Sequence, residues 1–159
     1  MKRKIAVTML LLAVALVGPA PNAGFASNNE GSVTGAAHGL FSGGASLAGV
    51  PLESLDFGTG AFLEADGSAA GVFQAVLSGR QLFGQARQIT LDGNVKNGTV
   101  SPDGRADFSG LATLQLGQGT PPLTGVPFRV TITANSVSLS IDATSLPDAG
   151  LTAGAVAIE

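Results

Sequence analysis

Three oxygen-bearing dipeptides crowd into LDGNVKNGTVSPDGRADFSG, residues 91–110: Asp92-Gly93, Asn97-Gly98 and Asp103-Gly104. Oxygen ligands at alternate positions ahead of a glycine are what a calcium loop requires. Counting from Asp92 puts the cation Lys96 at the fifth position, and counting from Asp103 puts Arg105 at the third, so a bound cation would meet like charge. The same dipeptides reverse a chain, because Gly and Asn accept positive φ at little cost. Asn97-Gly98 reads as a turn joining Asn94-Val95-Lys96 to Thr99-Val100-Ser101, and Asp103-Gly104 as the turn into a strand that starts at Ala106. The expectation is three turns and no metal.

The remaining inventory is poor in catalytic groups. One His and no Cys, Tyr or Trp exclude histidine-cluster zinc sites and thiol chemistry. Gly58-Thr59-Gly60 and Gly117-Gln118-Gly119 lack the third glycine and following helix of a phosphate loop. Gly44-Ala45-Ser46-Leu47-Ala48 has the outline of a nucleophile elbow, but an elbow needs a strand-to-helix turn, and His38 precedes Ser46, opposite to the order of that fold. Glu53, Asp56, Glu64 and Asp107 could furnish a glycosidase pair if the fold set two of them at working distance. Solvated strand faces and turns account for them equally well. No cofactor is expected.

Ligand-binding chemistry concentrates in Arg80-Gln81-Leu82-Phe83-Gly84-Gln85-Ala86-Arg87-Gln88. Guanidinium and amide groups suit an anionic or hydroxylated ligand, which makes Arg80, Gln85 and Arg87 candidates, with His38 as a fourth. A polar connection between strands would have the same composition. His38 shares its strand face with Thr34, Ala36 and Leu40, where a hydrogen-bonded histidine on a barrel wall is the ordinary reading. Residues 117–127 form the longest stretch without alternation and read as a Pro-rich loop at a barrel mouth.

The elements that must position these groups are strands. Phe128, Val130 and Ile132 share one face against Arg129, Thr131 and Thr133, and the alternation resumes at Val137, Leu139 and Ile141 after Ala134-Asn135-Ser136, which makes a hairpin. Ala106, Phe108, Gly110, Ala112, Leu114 and Leu116 form a longer stripe of large and small residues. Gly71, Phe73, Ala75 and Leu77 repeat it, Asp66-Gly67 separates that run from residues 60–65, and Ile89 with Leu91 marks another strand. Residues 33–41 and 151–158 supply the first and last strands. No window outside the N-terminus has helical periodicity. About eight to ten strands with hairpin-length connections predict an all-β, antiparallel, up-and-down barrel, with a two-sheet β-sandwich as the alternative. A membrane barrel would carry aromatic girdles, and the lack of Trp and Tyr opposes it.

Targeting signals frame that domain. Lys2-Arg3-Lys4, the apolar run from Ile5 to Val17, and Gly24-Phe25-Ala26 have the order of a secretory leader, so residues 1–26 are read as a signal peptide, 27–31 as a short tail and 32–159 as one β domain. The apolar run is too short to span a bilayer, and no integral membrane span is expected once it is removed. The leader holds three of the eight cations and none of the eleven acids, leaving five cations against eleven acids. That balance opposes nucleic acid as a partner.

Val33-Thr34-Gly35, residues 66–73 (DGSAAGVF) and Ala106-Asp107-Phe108-Ser109-Gly110 resemble elements of small exported bacterial all-β domains of unassigned function. The resemblance implies an antiparallel β fold and transfers no site residue. The leading expectation is an exported non-catalytic module, secreted or periplasmic, with a structural or interaction role and an envelope component as partner. A carrier holding a small apolar ligand inside the barrel is the alternative, and an enzyme the third. The leader reading makes Ser27 the first residue of the mature chain: intact-mass measurement of exported material should show loss of residues 1–26, and a mass that retains Met1 to Ala26 would refute it.

Overall fold

The computed structural model describes residues 30–159 apart from 82, 83 and 118. The expected leader, residues 1–26, and most of the tail after it therefore lie outside the described residues. The elements run β1 (Gly31–Phe41), β2 (Ser46–Leu47), β3 (Val50–Leu63), β4 (Ser68–Arg80), β5 (Ala86–Ser101), β6 (Arg105–Gln115), β7 (Leu123–Ile132), β8 (Ser136–Ile141), β9 (Thr144–Ser145) and β10 (Ala149–Ile158). All pairings are antiparallel. The order β1-β10-β8-β7-β6-β5-β4-β3 returns to β1 through a β1–β3 ladder, so the long strands close a hydrogen-bonded ring in meander order. The expected all-β, up-and-down architecture is what forms, and no helix occurs among the described residues.

Alternation decides which face turns inward. Phe73, Ala75 and Leu77 of β4, Ile89 and Leu91 of β5, Ala106, Phe108, Ala112 and Leu114 of β6, and Phe128, Val130 and Ile132 of β7 are all buried in one core. The intervening Gln74, Asp92, Thr113 and Arg129 face outward. At the centre, the Phe73 ring lies 5.8 Å from Phe57, 5.7 Å from Phe108 and 5.8 Å from Phe128, centroid to centroid. Burying such a ring contributes about 1.5–3 kcal/mol. Offset and edge contacts add about 0.5–1.5 kcal/mol per aromatic pair.

Two of the three expected turns are not turns. Asp92-Gly93 and Asn97-Gly98 both lie inside β5, which runs unbroken from Ala86 to Ser101. A Cβ on Gly93 would come within 2.6 Å of the Phe128 ring, and one on Gly98 within 2.1 Å of the Leu63 side chain. Glycine stands at these positions because core side chains occupy the space, which dipeptide statistics do not register. At Asn97 the ladder to β6 shifts between Val95 and Asn97, so the extra residue makes a bulge instead of a reversal. Only Asp103-Gly104 turns the chain: Gly104 has φ 77° and its N–H donates to Ser101 O at 3.0 Å. Asp66-Gly67 turns as expected, with Gly67 donating to Glu64 O at 3.0 Å.

The Pro-rich loop is also shorter than alternation suggests, because β7 begins at Leu123 and Pro127 pairs with Leu111 inside it. Pro127 presents a carbonyl, which accepts from Asp142 N–H at 2.8 Å, and needs no N–H of its own there.

The core makes a graded test. Phe108→Ala should cost about 3–5 kcal/mol and Ile132→Val about 0.5–1.5 kcal/mol. Gly93→Ala should cost about 1–3 kcal/mol through the clash with Phe128. Urea midpoints of the three variants measure this, and a near-neutral Gly93→Ala would mean that the Phe128 ring is not seated against β5.

Candidate functional site

Polar side chains gather in two places outside the core. The first is a trough on the outer wall across β1, β3, β4 and β5. Register sets Ala153, His38, Asp56, Val76 and Thr90 in one outward row, and Ala36, Gly58, Gln74 and Asp92 in the next. Small residues at Ala36 and Gly58 lower the floor, and the depression encloses about 680 Å³. His38 Nδ1 lies 2.7 Å from Asp56 Oδ1, and Gln74 Nε2 donates to Asp92 Oδ1 at 2.9 Å. The ladder thus produces two side-chain pairs along the trough, one carrying the protein's single histidine.

The second place is the mouth formed by the β4–β5 and β6–β7 connections. Gln85, Ala86, Arg87, Gln88, Thr90, Gln115 and Gly117 line a cleft of about 640 Å³. Gln115 Nε2 donates to the carbonyls of Gly117 at 2.7 Å and Thr120 at 2.6 Å, which fixes the rim. Gly117 has φ 122°, and a Cβ there would come within 2.5 Å of Arg87 Nη1, so the guanidinium lies against bare backbone. No carboxylate lies within 4 Å of Arg87 among the described residues.

The four residues singled out by sequence therefore separate. Gln85 and Arg87 share the mouth cleft. Arg80 does not line that cleft: its side chain leaves the strand on the face opposite to that of Arg87, since Arg87 pairs with Gly79, and its Nε lies 3.2 Å from Glu53 Oε1. His38 belongs to the trough. Missed at the sequence level were Asp56 as partner to His38, and Gln74, Asp92 and Gln115. Only the strand register joins residues so far apart in the chain.

Three of the four acids considered for hydrolysis are occupied otherwise. Asp56 faces His38, and Glu53 faces Arg80. Asp107 receives Arg105 Nη2 at 3.0 Å and Thr131 Oγ1 at 2.5 Å. Burial works to raise the Asp107 pKa, but the hydrogen bonds from Arg105 and Thr131 and the charges of Arg105 and Arg129 outweigh it and hold the carboxyl below its usual range. A general acid needs the opposite shift. Asp66 is lowered too, by hydrogen bonds from the Ser68 side chain and backbone N–H, as suits a turn carboxylate. Among the described residues no three His, Cys, Asp or Glu side chains gather as a metal set. Ser46 lies in the two-residue β2 paired with β3, not at a strand-to-helix turn. His38 has Asp56 to orient it, but among the described residues no hydroxyl is hydrogen-bonded to its ring to complete a triad. What both places can do is bind: amides, a guanidinium and carboxylates in open depressions suit small polar groups.

No family model, no curated protein and no solved structure matches this chain.

The Asp107 cluster carries a pH dependence. Its pKa is lower folded than unfolded, so the stabilisation is complete above the unfolded value and is lost as pH falls through the folded one. Asp107→Asn should cost about 1 kcal/mol at neutral pH. The gap to wild type should close on acidification below the ordinary carboxylate range, as followed by urea midpoints at stepped pH. A gap that is constant or widens in acid would show that the charge on Asp107 is not what stabilises it.

Proposed function

We propose that this protein is an exported, non-catalytic β-domain with a structural or interaction role at the bacterial cell envelope or outside the cell, and that it works through its outer surface. The observation that carries this reading is the filled interior. Phe57, Phe73, Phe108 and Phe128 occupy the centre of the ring, and Leu55, Leu77, Ile89, Leu91, Val130 and Leu139 pack round them with at most 4% exposure. An apolar ligand inside the barrel would have to displace these rings. The polar depressions at His38–Asp56 and at Gln85–Arg87 lie outside that core and leave it intact.

Export is supported by the order of cationic, apolar and small residues over 1–26. A water-facing exterior is supported by the outward Ser, Thr, Gln and Asp side chains, among which Leu40, Phe62, Val72, Leu111 and Leu123 are the exposed large apolar ones, with no Trp or Tyr to form an aromatic girdle. No helix among the described residues is long and apolar enough to cross a membrane. The partner this reading implies is an envelope or extracellular component contacted on the polar wall.

Titration with long-chain fatty acids and an environment-sensitive apolar dye separates the module from the carrier. The expected result is no saturable binding and no apolar molecule retained in native mass spectrometry. One-to-one binding that is lost in Phe73→Trp would replace the proposal with the carrier reading.

A further inference from the structure

β10 is hydrogen-bonded on one side only over most of its length. Pairs from Val33↔Ile158 to His38↔Ala153 tie it to β1. Toward β8 it pairs only at Ala149 and Gly150, followed by Leu151 N–H donating to Asn135 O at 2.9 Å, because the β7–β8 turn ends the neighbouring hairpin there. Ser32 and Glu159 exchange both backbone bonds, at 2.8 and 3.0 Å. Alternation from that pair aims the N–H and C=O of Gly154, Val156 and Ile158 away from β1. Among the described residues no strand pairs with this edge.

The stretch is unguarded. Natural edges are blunted by charge, proline or a covering segment. Residues 149–158, AGLTAGAVAI, contain no charged residue and no proline. Ala153, Gly154, Ala155 and Ala157 are exposed, and Val156 and Ile158 are only half-buried although their side chains point toward the core. A cleft of about 210 Å³ runs beside the edge, between Thr133-Ala134 and residues 151–156.

We infer that this edge pairs with the same edge of a second copy of the chain, antiparallel about a twofold axis at Val156. Gly154 then faces the partner's Ile158, Val156 faces the partner's Val156, and Ile158 faces the partner's Gly154. The outward backbone groups of Gly154, Val156 and Ile158 on both strands then find bonds. Charge selects the occupant. With five cations against eleven acids after residue 26, most faces of this protein repel a copy of themselves, whereas this stretch is neutral. The nearest acid, Glu159, would stand opposite the partner's Ala153, about 20 Å along the strand from the partner's Glu159. An uncharged edge has nothing with which to select a foreign strand by charge, but it matches its own length and register by symmetry. Small outward side chains at Ala155 and Ala157 let the two backbones approach without obstruction. This pairing borders the outer trough, whose lining includes Ala153 and Gly154, lies away from the mouth cleft, and holds whether or not the proposed export role does.

Sedimentation velocity over a wide concentration range tests it on the full chain, expressed with residues 1–26 so that any processing proceeds. The wild type should show a concentration-dependent dimer. Val156→Pro, which removes an outward N–H that β1 does not use, and Ala155→Lys, which places a charge beside the axis, should each shift the chain to monomer at the same concentration. Melting temperatures close to wild type show that the fold survives. As the chain has no cysteine, Val156→Cys should form a disulfide-linked dimer on mild oxidation, since bonded antiparallel partners lie about 5.5 Å apart between Cα atoms. Ser78→Cys on the outer wall should not. A wild type monomeric throughout, or a dimer that persists in both edge variants, overturns the inference.

Discussion

Phe73 and the three phenylalanine rings around it set the terms for the rest of the molecule. An antiparallel ring must fill its interior with side chains, and here the centre is filled from β3, β4, β6 and β7 at once. Rings of that size leave no space on the facing backbone. Phe128 is seated against Gly93 and Gly110, where added Cβ atoms would lie 2.6 and 3.1 Å from it. Glycine within these strands is therefore the complement of the aromatic core, and the sacrifice in strand propensity is offset by aromatic burial. Because the rings need those seats, the register of β5 and β6 is fixed, and with it the outward rows that carry Gln74–Asp92 and Asp107–Thr131.

The outer wall follows from that register. Once Leu55 and Phe57 point inward, Asp56 must point out, and pairing with β1 brings it to His38. Once Phe73, Ala75 and Leu91 point inward, Gln74 and Asp92 meet on the opposite face. The trough is thus a by-product of core packing to the extent that its residues lie where the ladder puts them, and its depth comes from small residues at Ala36 and Gly58. The mouth cleft is different. Arg87 continues the inward series of Ile89 and Leu91, and its guanidinium emerges only because β5 has reached the rim, where Gly117 leaves it room.

Period-two alternation made the strands legible, and hairpin-length connections made the meander legible, since both are local. Asp92-Gly93 and Asn97-Gly98 were misread for the same reason: the dipeptide is local, but the Phe128 ring and the Leu63 side chain that demand glycine come from distant strands. Thr131 shows the limit on the outer face. Alternation turns it outward correctly, yet its hydrogen bond to Asp107 at 2.5 Å depends on β6 and β7 being in register. Gln85 and Arg87 could be grouped from sequence because the β4–β5 connection holds them close together. Arg80 could not be separated from them without knowing that the two ends of that connection face opposite ways.

The same register that closes the barrel also explains why it closes incompletely. β8 has only six residues, and its turn from β7 comes before the level that β10 reaches alongside β1. A longer β7–β8 hairpin would have covered Val156 and Ile158, and Leu151 N–H reaching Asn135 marks where that cover stops. The remaining backbone groups must be satisfied by water or by another strand. Water can serve on a polar edge at little cost, but here it also meets half-exposed Val156 and Ile158, whose burial against a further strand would be favourable. The length of one hairpin thus decides whether this ring is sealed within one chain or left with an edge for another.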